Sequence, residues 1–507
     1  MAPKNSLVFI GFMGAGKSRA VRHASAEGLD ALDADLIVAE ELGEPVAEFF
    51  DRHGEAEFRR RESATVLRTL AEGHEAVGLG GGAVLSPQVR EALAGHTVVW
   101  LRVGAEELWA RVEGSDRPLA RERARFDALY AEREPIYRHL ADAVLLSADA
   151  LPGALEGLRA VDRAKPARLI WAQSASGEYP IWIGAEALER APWPAAGRRF
   201  RVSDTAVAKL HGNAVEPVAG AVAIAPGEEA KTLGEAERVL RELARAGMTR
   251  ADHVVALGGG VVGDLAGFCA ATYQRGVPVV QVPTTLLAQV DSAYGGKTGV
   301  DLPEAKNYVG AYHLPAGVIA DTATLATLPP KELAAGFVEL LKTALLAGEE
   351  AWRRAVGIDS LDPSALEPLI VDCALTKTEI VASDERDAGR REVLNLGHTV
   401  GHAIEAATGY GRYRHGEAIG LGLLAALRLS EANDLRAEMG KTLARHGLPT
   451  GLDPAVSVDA VLDATRLDKK ATVEGPRFVL LDRPGEPVTG VRMDPARVRA
   501  AVEELSA

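Results

Sequence analysis

A glycine-rich segment near the start of the chain has the residue types and spacing of a phosphate-binding loop. Residues 11–18 read Gly-Phe-Met-Gly-Ala-Gly-Lys-Ser, which fits G-x-x-x-x-G-K-[ST] between the apolar run Leu7–Ile10 and a helical pattern. In such a loop Lys17 reaches the terminal phosphates and Ser18 can bind Mg²⁺. The glycines let backbone N–H groups converge on phosphate oxygens, and they are Gly11, Gly14 and Gly16. The motif predicts nucleotide binding and does not identify the phosphoryl acceptor.

Two aspartates and a glycine triplet in the same region suit the acceptor side of a phosphoryl transfer. Asp33 and Asp35 are two residues apart, so at a strand end we expect both side chains to project to one side. One carboxylate could orient or deprotonate a hydroxyl while the other supports a metal. The triplet Gly80-Gly81-Gly82 would let a small substrate approach the backbone closely. Three arginines could converge on a carboxylate or phosphate: Arg59, Arg117 and Arg138.

A second glycine turn lies near the middle of the chain. The apolar run His253–Leu257 predicts a buried strand, and residues 258–263 that follow it satisfy G-x-G-x-x-G ahead of a predicted helix. This pattern favours a dinucleotide pyrophosphate. Residues 278–288 contain no acid that could hold a ribose, which argues against an ordinary Rossmann dehydrogenase.

A histidine cluster in the last third of the chain predicts a metal site. His398 and His402 are four residues apart and therefore share one face of a helix, and His415 follows closely. Glu339 and Lys342 form a second pair at helical spacing. Two histidines and a carboxylate, with coordination positions left open, are typical of catalytic Zn²⁺. Basic residues around them suit a substrate that carries phosphate and carboxylate: Arg275, Lys297, Lys306, Lys377, Arg391, Lys469 and Lys470.

The elements that must position these residues follow from hydrophobic periodicity. Short apolar runs at Leu7–Ile10, Thr97–Leu101 and Ala143–Leu146 alternate with helical patterns, which indicates an α/β fold with a parallel sheet. Proline, glycine and small residues over 148–168 suggest a boundary. The alternation resumes to about residue 330, and residues 331–445 are nearly all helical in pattern.

Composition excludes several classes of protein. A length of 507 residues predicts about three domains. The net charge is 57 − 71 = −14, which argues against nucleic acid as the main partner. No apolar run approaches the roughly 18 residues of a membrane span, so no membrane partner is expected. Two cysteines, Cys269 and Cys373, cannot form a disulfide framework. We therefore expect a cytoplasmic protein.

Residues 1–147 resemble shikimate kinase in the phosphate loop, Leu32–Asp35, Gly54–Arg59, Gly80–Gly82, Arg117-Pro118 and Ile136–Arg138. The resemblance implies ATP and Mg²⁺, with shikimate as the acceptor. It makes Asp35 the base that binds shikimate hydroxyls, and Asp33 a support for Mg²⁺ with Ser18. It places Arg59 and Arg138 on the substrate carboxylate, Gly81 and Gly82 along the ring, and Arg117 in a lid.

Residues from about 170 to 507 resemble 3-dehydroquinate synthase, in stretches that include Pro226–Lys231, Gly258–Phe268, Asp291–Gly299, Leu394–Glu405 and Asp468–Lys470. The resemblance implies NAD and Zn²⁺ (or Co²⁺), and conversion of 3-deoxy-D-arabino-heptulosonate 7-phosphate to 3-dehydroquinate and phosphate. It makes Glu339, His398 and His415 the metal ligands and His402 a residue on the substrate side.

The same resemblance assigns the remaining residues of this half. It implies NAD contacts at Asp204, Glu228, Lys231, Gly259, Gly260, Asp264, Thr284 and Thr285. Because Glu228 precedes the glycine turn, the missing acid after that turn is no defect. It implies substrate contacts at Arg275, Asp291, Lys297, Lys306, Asn307, Lys342, Lys377, Arg391 and Asn395, and at either Lys469 or Lys470.

The expected organisation is a P-loop kinase over 1–162, with a parallel sheet and helices on both sides, followed by an α/β NAD-binding lobe over 163–330. An all-helical metal-binding lobe would cover 331–507. The expected function is a bifunctional shikimate-pathway enzyme, with a homodimer formed through the synthase part. Two alternatives remain open: a kinase fused to another sugar-phosphate cyclase, and a degenerate scaffold that retains nucleotide binding alone.

Overall fold

The structure is a computed structural model that describes residues 5–115, 118–161, 167–466 and 476–506. The chain divides into two compact units. The first unit runs to Gln173 and adds Pro180–Trp182 and Arg190–Pro192, and the second contains the other residues. The predicted boundary between residues 162 and 163 lies outside the described residues. That boundary, and the predicted division at residue 330, stay predictions.

The first unit is built on a parallel sheet, which confirms the alternation of strand and helix read from the sequence. Its strands lie in the order β2-β3-β1-β4-β5-β6, and every neighbouring pair is parallel. The strands are β1 (Leu7–Ile10), β2 (Ala31–Asp33), β3 (Ala76–Gly78), β4 (Thr97–Leu101), β5 (Ala143–Leu145) and β6 (Arg168–Ser174). The helices are α1 (Lys17–Ala26), α2 (Ala34–Leu42), α3 (Val46–Glu72), α4 (Pro87–Leu93), α5 (Ala105–Val112), α6 (Arg123–Leu140) and α7 (Leu151–Arg159).

The order of these strands brings the predicted kinase residues to one edge. Because β2, β3 and β1 are adjacent and parallel, their carboxyl ends lie side by side. Asp33 ends β2, Gly80–Gly82 follow β3 and the phosphate loop follows β1. The stretch 148–168, which we interpreted as a boundary, includes helix α7. Its apolar residues Leu151, Ala154, Leu155 and Leu158 are buried, and this burial stabilises a helix despite the proline and glycine near its start.

In the α/β part of the second unit, five parallel strands lie in the order β14-β11-β10-β8-β9. The carboxyl ends of β8, β9, β10 and β11 again meet at one edge. An antiparallel pair, β12 and β13, stands apart from this sheet. The strands are β7 (Gly177–Gly184), β8 (Arg199–Asp204), β9 (Gly220–Ile224), β10 (His253–Gly258), β11 (Val279–Pro283), β12 (Lys297–Leu302), β13 (Ala305–Tyr312) and β14 (Gly317–Asp321). The helices are α8 (Ala187–Arg190), α9 (Thr205–His211), α10 (Leu233–Arg245) and α11 (Gly260–Thr272).

The rest of the second unit is helical, as predicted, but it is not all-helical. Two antiparallel strands, β15 (Phe478–Leu481) and β16 (Pro487–Val491), pair beside the helices. The turn residues Arg483-Pro-Gly-Glu486 join the two strands and favour such a hairpin. The helices are α12 (Pro330–Ala347), α13 (Glu349–Val356), α14 (Pro363–Ser383), α15 (His398–Ala407), α16 (His415–Leu429), α17 (Asn433–Arg445), α18 (Val458–Arg466) and α19 (Pro495–Glu503).

Helix α12 is at the centre of this region. Every residue from Ala334 to Leu346 is buried, and α12 packs against α13, α14 and α16 while α15 packs on α16. In the described part of the chain, no helix has both the length and the apolar character needed to cross a bilayer.

Candidate functional site

The phosphate loop between β1 and α1 has the backbone that anion binding requires. Gly14 and Gly16 have φ of +83° and +97°, a region where a side chain would be strained. Lys17 is buried, and its Nζ donates to the carbonyl oxygens of Gly11 at 3.0 Å and Phe12 at 3.1 Å. The ammonium is therefore held within the loop, and Ser18 follows it in the exposed first turn of α1.

Asp33 ends β2, but Asp35 lies in α2, so the prediction that both side chains project from a strand end is wrong. Asp33 caps α2, where its Oδ1 accepts a hydrogen bond of 3.0 Å from the backbone N–H of Asp35. The cap starts the helix at Ala34, and Asp35 consequently lies in its first turn. Asp33 Oδ2 is buried and accepts no hydrogen bond from the described residues, which leaves one oxygen for a cation.

The glycine turn after β3 collects the other predicted acceptor residues. A methyl group placed on Gly80 would lie 2.6 Å from Asp35 Oδ1, and one on Gly82 would lie 2.0 Å from Arg59 Nη1. A methyl group on Gly81 would lie 3.3 Å from the backbone nitrogen of Met13 in the phosphate loop. The Asp35 carboxylate and the Arg59 guanidinium therefore occupy positions that side chains on Gly80 and Gly82 would block.

Helix α6 supports this turn from another direction. The hydroxyl of Tyr137 donates to the carbonyl oxygen of Gly81, and Arg138, the next residue, forms an ion pair of 2.5 Å with Glu134. Arg59 forms an ion pair of 2.6 Å with the buried Glu62, a residue the sequence analysis missed. Its only signal was a spacing of three residues on one helix. Arg117 lies outside the described residues.

The predicted NAD residues lie at the carboxyl ends of β8, β9, β10 and β11. Lys231 Nζ is 2.8 Å from Asp264 Oδ2 and 3.5 Å from Glu228 Oε1. Burial alone would lower the pKa of Lys231, but these two carboxylates raise it, so the lysine carries its charge. Asp204 caps α9 and accepts from the backbone N–H groups of Ala206 and Val207.

The second glycine turn, between β10 and α11, is closely approached by neighbouring side chains. A methyl group on Gly259 would lie 2.9 Å from Thr285 Cγ2, and one on Gly260 would lie 3.1 Å from Ser292 Oγ. The backbone N–H of Thr284 donates to Gly258 O, while Thr284 Oγ1 is buried without a hydrogen bond among the described residues. A tight backbone at the start of α11 and an unused hydroxyl directly after β11 suit a bound dinucleotide.

Three of the predicted metal ligands converge. The ligand atoms of Glu339, His398 and His415 lie within 4.8 Å of one another. His398 Nε2 is 3.6 Å and His415 Nε2 is 3.4 Å from Glu339 Oε1. His402 is exposed, and its ring centroid lies 5.1 Å from that of His398.

Glu339 is the buried member of the set. Its side chain is 1% exposed, and neither oxygen accepts a hydrogen bond within the described residues, although Lys342 Nζ lies 2.6 Å from Oε2. Burial alone would raise the pKa of Glu339, but the charge of Lys342 lowers it well below its usual range. Burial and the charge of Lys342 lower the pKa of His398 to about 3, so it is neutral and able to bind a cation.

A close helix contact sets the spacing of these ligands. A methyl group on Gly416 would lie 1.9 Å from the carbonyl oxygen of Ala335. Gly416 follows His415 at the start of α16, and Ala335 precedes Glu339 by one turn of α12. The backbones of α12 and α16 can therefore approach only because position 416 has no side chain.

A second ion pair adjoins the metal ligands. Lys377 Nζ is 2.5 Å from Asp291 Oδ1 and also donates to the backbone oxygen of Asp291 at 2.6 Å. Burial alone would raise the pKa of Asp291, but Lys377 and Lys342 lower it to about 2. Burial lowers the pKa of Lys377. The predicted residues Asp291, Lys342 and Lys377 are thus brought together beside Glu339.

The predicted phosphate and carboxylate contacts are brought together in part. Arg391 is buried and donates to the backbone oxygens of Glu385 and Gly295, while its Nε has no hydrogen bond within the described residues. Asn395 Nδ2 donates to Glu392 O, and the backbone N–H of Asn307 donates to Asp301 Oδ1. The side chain of Arg275 is exposed. Lys469 and Lys470 lie outside the described residues.

Two carboxylates of the second unit were also not predicted from the sequence. Asp387 pairs with Lys297, and the buried Glu405 lies beside His415 and Lys306. Burial alone would raise the pKa of Glu405, but His415 and Lys306 lower it to about 2. Glu405 carried a usable signal, because it is seven residues after His398 and so shares its helix face.

Comparison with known proteins accounts for both units. Residues 13–159 match the shikimate kinase family, residues 221–335 match the 3-dehydroquinate synthase N-terminal family and residues 336–471 match its C-terminal family. The 3-dehydroquinate synthase of Symbiobacterium thermophilum is 41% identical over 350 residues, which cover 64% of this chain and 98% of the relative. That of Halorhodospira halophila is 44% identical over 339 residues, covering 63% and 95%.

Solved structures agree with the second assignment. A 2-deoxy-scyllo-inosose synthase complexed with carbaglucose-6-phosphate, NAD⁺ and Co²⁺ has a TM-score of 0.59 at 26% identity, covering 66% of this chain and 99% of its own. A 2-epi-5-epi-valiolone synthase from Streptomyces hygroscopicus with NAD⁺ and Zn²⁺ bound has a TM-score of 0.56 at 25% identity, covering 64% and 96%. With both its synthase models matched and a relative covered almost end to end, the chain belongs to the 3-dehydroquinate synthase family and carries a shikimate kinase domain ahead of it, as a bifunctional shikimate-pathway enzyme.

Proposed function

We propose that the two sites described above carry out the two reactions expected of such a fusion. The first unit would transfer a phosphoryl group from ATP to shikimate. The second would convert 3-deoxy-D-arabino-heptulosonate 7-phosphate to 3-dehydroquinate and phosphate. The observation that carries the second assignment is the convergence of Glu339, His398 and His415 beside the buried Lys342.

In the kinase unit the phosphate loop and Lys17 bind the ATP phosphates, and the resemblance adds Arg117, which lies outside the described residues, as a further contact. Ser18 and Asp33 hold Mg²⁺, for which Asp33 offers a buried oxygen without a hydrogen bond among the described residues. Asp35 orients the shikimate hydroxyl and takes its proton. The lining of this acceptor pocket is Arg59, Gly81, Gly82 and Arg138.

The residues of the second unit fit NAD and a divalent metal. The unused Thr284 hydroxyl and the close approach at Gly259 suit the dinucleotide, and the buried Glu339 with a neutral His398 suits Zn²⁺ or Co²⁺. When bound, NAD supplies reversible hydride acceptance and the metal polarises a substrate oxygen. The proposed NAD contacts are Asp204, Glu228, Lys231, Gly259, Gly260, Asp264, Thr284 and Thr285.

The chain's own residues then bind and orient the substrate. Lys342 and Asp291 face the hydroxyls, and Lys377 holds a proton next to Asp291. Lys297, Asn307 and Arg391 bind the phosphate, and holding it still positions the phosphate oxygen that removes the neighbouring carbon-bound proton. Further substrate contacts are proposed at Arg275, Lys306, Asn395 and His402, and at Lys469 or Lys470.

The second candidate is a kinase fused to another sugar-phosphate cyclase. It is favoured by the solved structures, which include synthases of 2-deoxy-scyllo-inosose and 2-epi-5-epi-valiolone. We rank it second because the chain is 41–44% identical to 3-dehydroquinate synthases and only 25–26% identical to those two solved synthases. A scaffold without catalysis ranks third, because Lys17, Asp35 and all three proposed metal ligands are present.

One set of assays separates these candidates. The protein is dialysed against a chelator and then assayed with shikimate, ATP and added Mg²⁺, and separately with the heptulosonate phosphate and NAD. We expect kinase turnover, and phosphate release only after Zn²⁺ or Co²⁺ is restored. Phosphate release from another phosphosugar but not from the heptulosonate would favour the second candidate. Absence of both activities in the metal-loaded protein would favour the scaffold.

We also propose that the partners are small molecules, without nucleic acid or membrane, and that the protein is cytoplasmic. The net charge of −14 supports the exclusion of nucleic acid. A homodimer through the synthase unit is proposed from the resemblance, and sedimentation of the protein at several concentrations would test it.

A further inference from the structure

Glu405 is a buried carboxylate that the proposed reaction does not use. It lies on α15, it is 4% exposed, and each of its oxygens faces a different positive or polar group. Oε2 is 3.3 Å from His415 Nδ1, and Oε1 is 3.5 Å from Lys306 Nζ. One of these neighbours is a proposed metal ligand and the other a proposed substrate contact.

The contact with His415 determines which ring nitrogen is available. His415 Nε2 points at Glu339 Oε1, 3.4 Å away, while Nδ1 points at Glu405. A neutral imidazole carries one N–H, and a carboxylate beside Nδ1 stabilises the tautomer with the proton there. The lone pair of Nε2 then faces Glu339 and His398, where a cation would be bound.

The contact with Lys306 is equally directed. Lys306 Nζ lies 4.5 Å from the centre of the Tyr410 ring, so the ammonium is held between that ring and the carboxylate. Tyr410 is tied to the same residue, because its backbone N–H donates to Glu405 O at 2.8 Å. Glu405 therefore restrains both the charge on Lys306 and the aromatic ring beneath it.

We propose that Glu405 is a positioning residue that links the metal ligand His415 to the substrate-binding Lys306. Through Oε2 it orients the imidazole towards the metal, and through Oε1 it holds the ammonium where an anionic group of the substrate arrives. The inference rests on the proposed synthase reaction for its substrate arm, whereas its metal arm depends on the geometry of His415 alone.

The nearest competing role is that of a direct metal ligand. The ligand atoms of His402, Glu405 and His415 also lie within 4.8 Å of one another, so a cation could bind this second set. A glutamine at position 405 distinguishes the two roles, because its amide can replace the carboxylate in one role and not in the other. A glutamine oxygen still accepts the Nδ1–H hydrogen bond of His415, but it is a poor replacement for a carboxylate that binds the metal.

The test measures Zn²⁺ affinity by competition with a chromophoric chelator, together with kcat and KM, in the full-length protein. We expect Glu405→Ala to weaken Zn²⁺ binding about 10- to 100-fold and Glu405→Gln to weaken it less than about 10-fold. Both variants should raise KM for the heptulosonate phosphate. The increase should come within about threefold of that for Lys306→Met, which removes a charged hydrogen-bond partner. Lys306→Met should leave Zn²⁺ affinity unchanged.

Glu438→Gln is the matched control, because it also removes a carboxylate that accepts a hydrogen bond, from Trp352 Nε1, but it lies on α17. Equal and severe loss of Zn²⁺ in the Gln and Ala variants would assign Glu405 as a ligand and overturn the proposal. Unchanged Zn²⁺ affinity in both variants would also overturn it. If Glu405→Ala does not fold, a Gln variant whose KM stays at the wild-type value contradicts the link to Lys306. Absence of synthase turnover in the wild-type protein would refute the proposed function. The Zn²⁺ affinities of the Glu405 variants would then still test whether Glu405 orients His415.

Discussion

Lys297 Nζ lies 2.7 Å from Asp387 Oδ2, so the lysine proposed to bind the substrate phosphate is already paired with a carboxylate. The lysine side chain is 49% exposed, and Asp387 holds a left-handed backbone with φ of +60°. An arriving phosphate must replace this carboxylate, and in an exposed pair the replacement costs little.

The pair predicts unequal effects of removing its two members. Lys297→Met should raise KM for the heptulosonate phosphate about 10- to 100-fold, because it deletes a charged hydrogen-bond donor. Asp387→Asn should lower KM by less than about fivefold, because an exposed ion pair stabilises by no more than about 1 kcal/mol. Steady-state kinetics of phosphate release measures both, and Lys441→Met, an exposed lysine on α17, is the control. A rise in KM for Asp387→Asn as large as that for Lys297→Met would show that Asp387 holds the lysine in place.

The two units predict that each activity can be lost alone. Lys17→Ala should lower the kinase activity by about 10²-fold or more, since it removes a donor aimed at the ATP phosphates, and should spare the synthase. His398→Ala should do the reverse because it removes a metal ligand. Both activities are assayed on each purified variant, with circular dichroism to confirm folding. Loss of both activities from either change, in folded protein, would contradict independent units.

The contact between α12 and α16 predicts that a single methyl group disturbs the metal site. Gly416→Ala places that group 1.9 Å from Ala335 O, which forces the helices apart. We expect Zn²⁺ affinity to fall by about 10-fold or more, since His415 moves with its helix. Gly420→Ala on the same helix is the control, because its methyl group would meet Leu443 at an ordinary 3.4 Å. Equal Zn²⁺ affinities for the two variants would show that the helices adjust without moving the ligands.

A buried carboxylate that neither proposed reaction uses predicts an acid-dependent stability. Asp252 is 3% exposed and accepts hydrogen bonds from the side chain and backbone of Arg198 and from Thr249, and the Arg198 guanidinium holds its pKa well below the usual range. Because the folded-state pKa is lowered, the contribution is present above the unfolded value of about 3.9 and is lost as the pH falls through the folded value. Asp252→Asn should therefore lower the free energy of unfolding by about 2 kcal/mol at pH 7, and by less at pH 3.

Urea denaturation of the variant and the wild type at both pH values measures this difference. The exposed Glu237, which pairs with Arg241 on α10, provides the control as Glu237→Gln. A difference between variant and wild type that grows on acidification would contradict the lowered pKa.

Sequence patterns predicted the elements that carry the sites better than the contacts within them. The phosphate loop, the strand before Gly258 and the helix that bears His398 and His402 all form where periodicity places them, because local spacing and burial decide them. Asp35 differed because the side chain of Asp33 caps a helix that begins at Ala34, and this change from strand to helix depends on one hydrogen bond. The helix at Leu151–Arg159 formed in a stretch rich in breakers because its apolar face is buried by tertiary contacts.

The residues that sequence reasoning missed share a physical cause. Glu62, Asp387 and Glu405 are carboxylates that act on arginine, lysine or histidine, and acidic residues at helical spacing are ordinary on any surface. Only the burial of Glu62 and Glu405 distinguishes them, and burial depends on what packs above each helix.

Four buried side chains, the proposed ligand Glu339 and its neighbours Lys342, Asp291 and Lys377, alternate in charge, and their charges sum to zero. Removing any one member leaves an uncompensated charge in a buried setting, at a cost of about 3–5 kcal/mol, whereas removing an opposite pair leaves none. A change of substrate that requires replacing an opposite pair of these residues therefore passes through a single variant that is less stable than both the starting protein and the double variant. Only a simultaneous change of both residues avoids that variant.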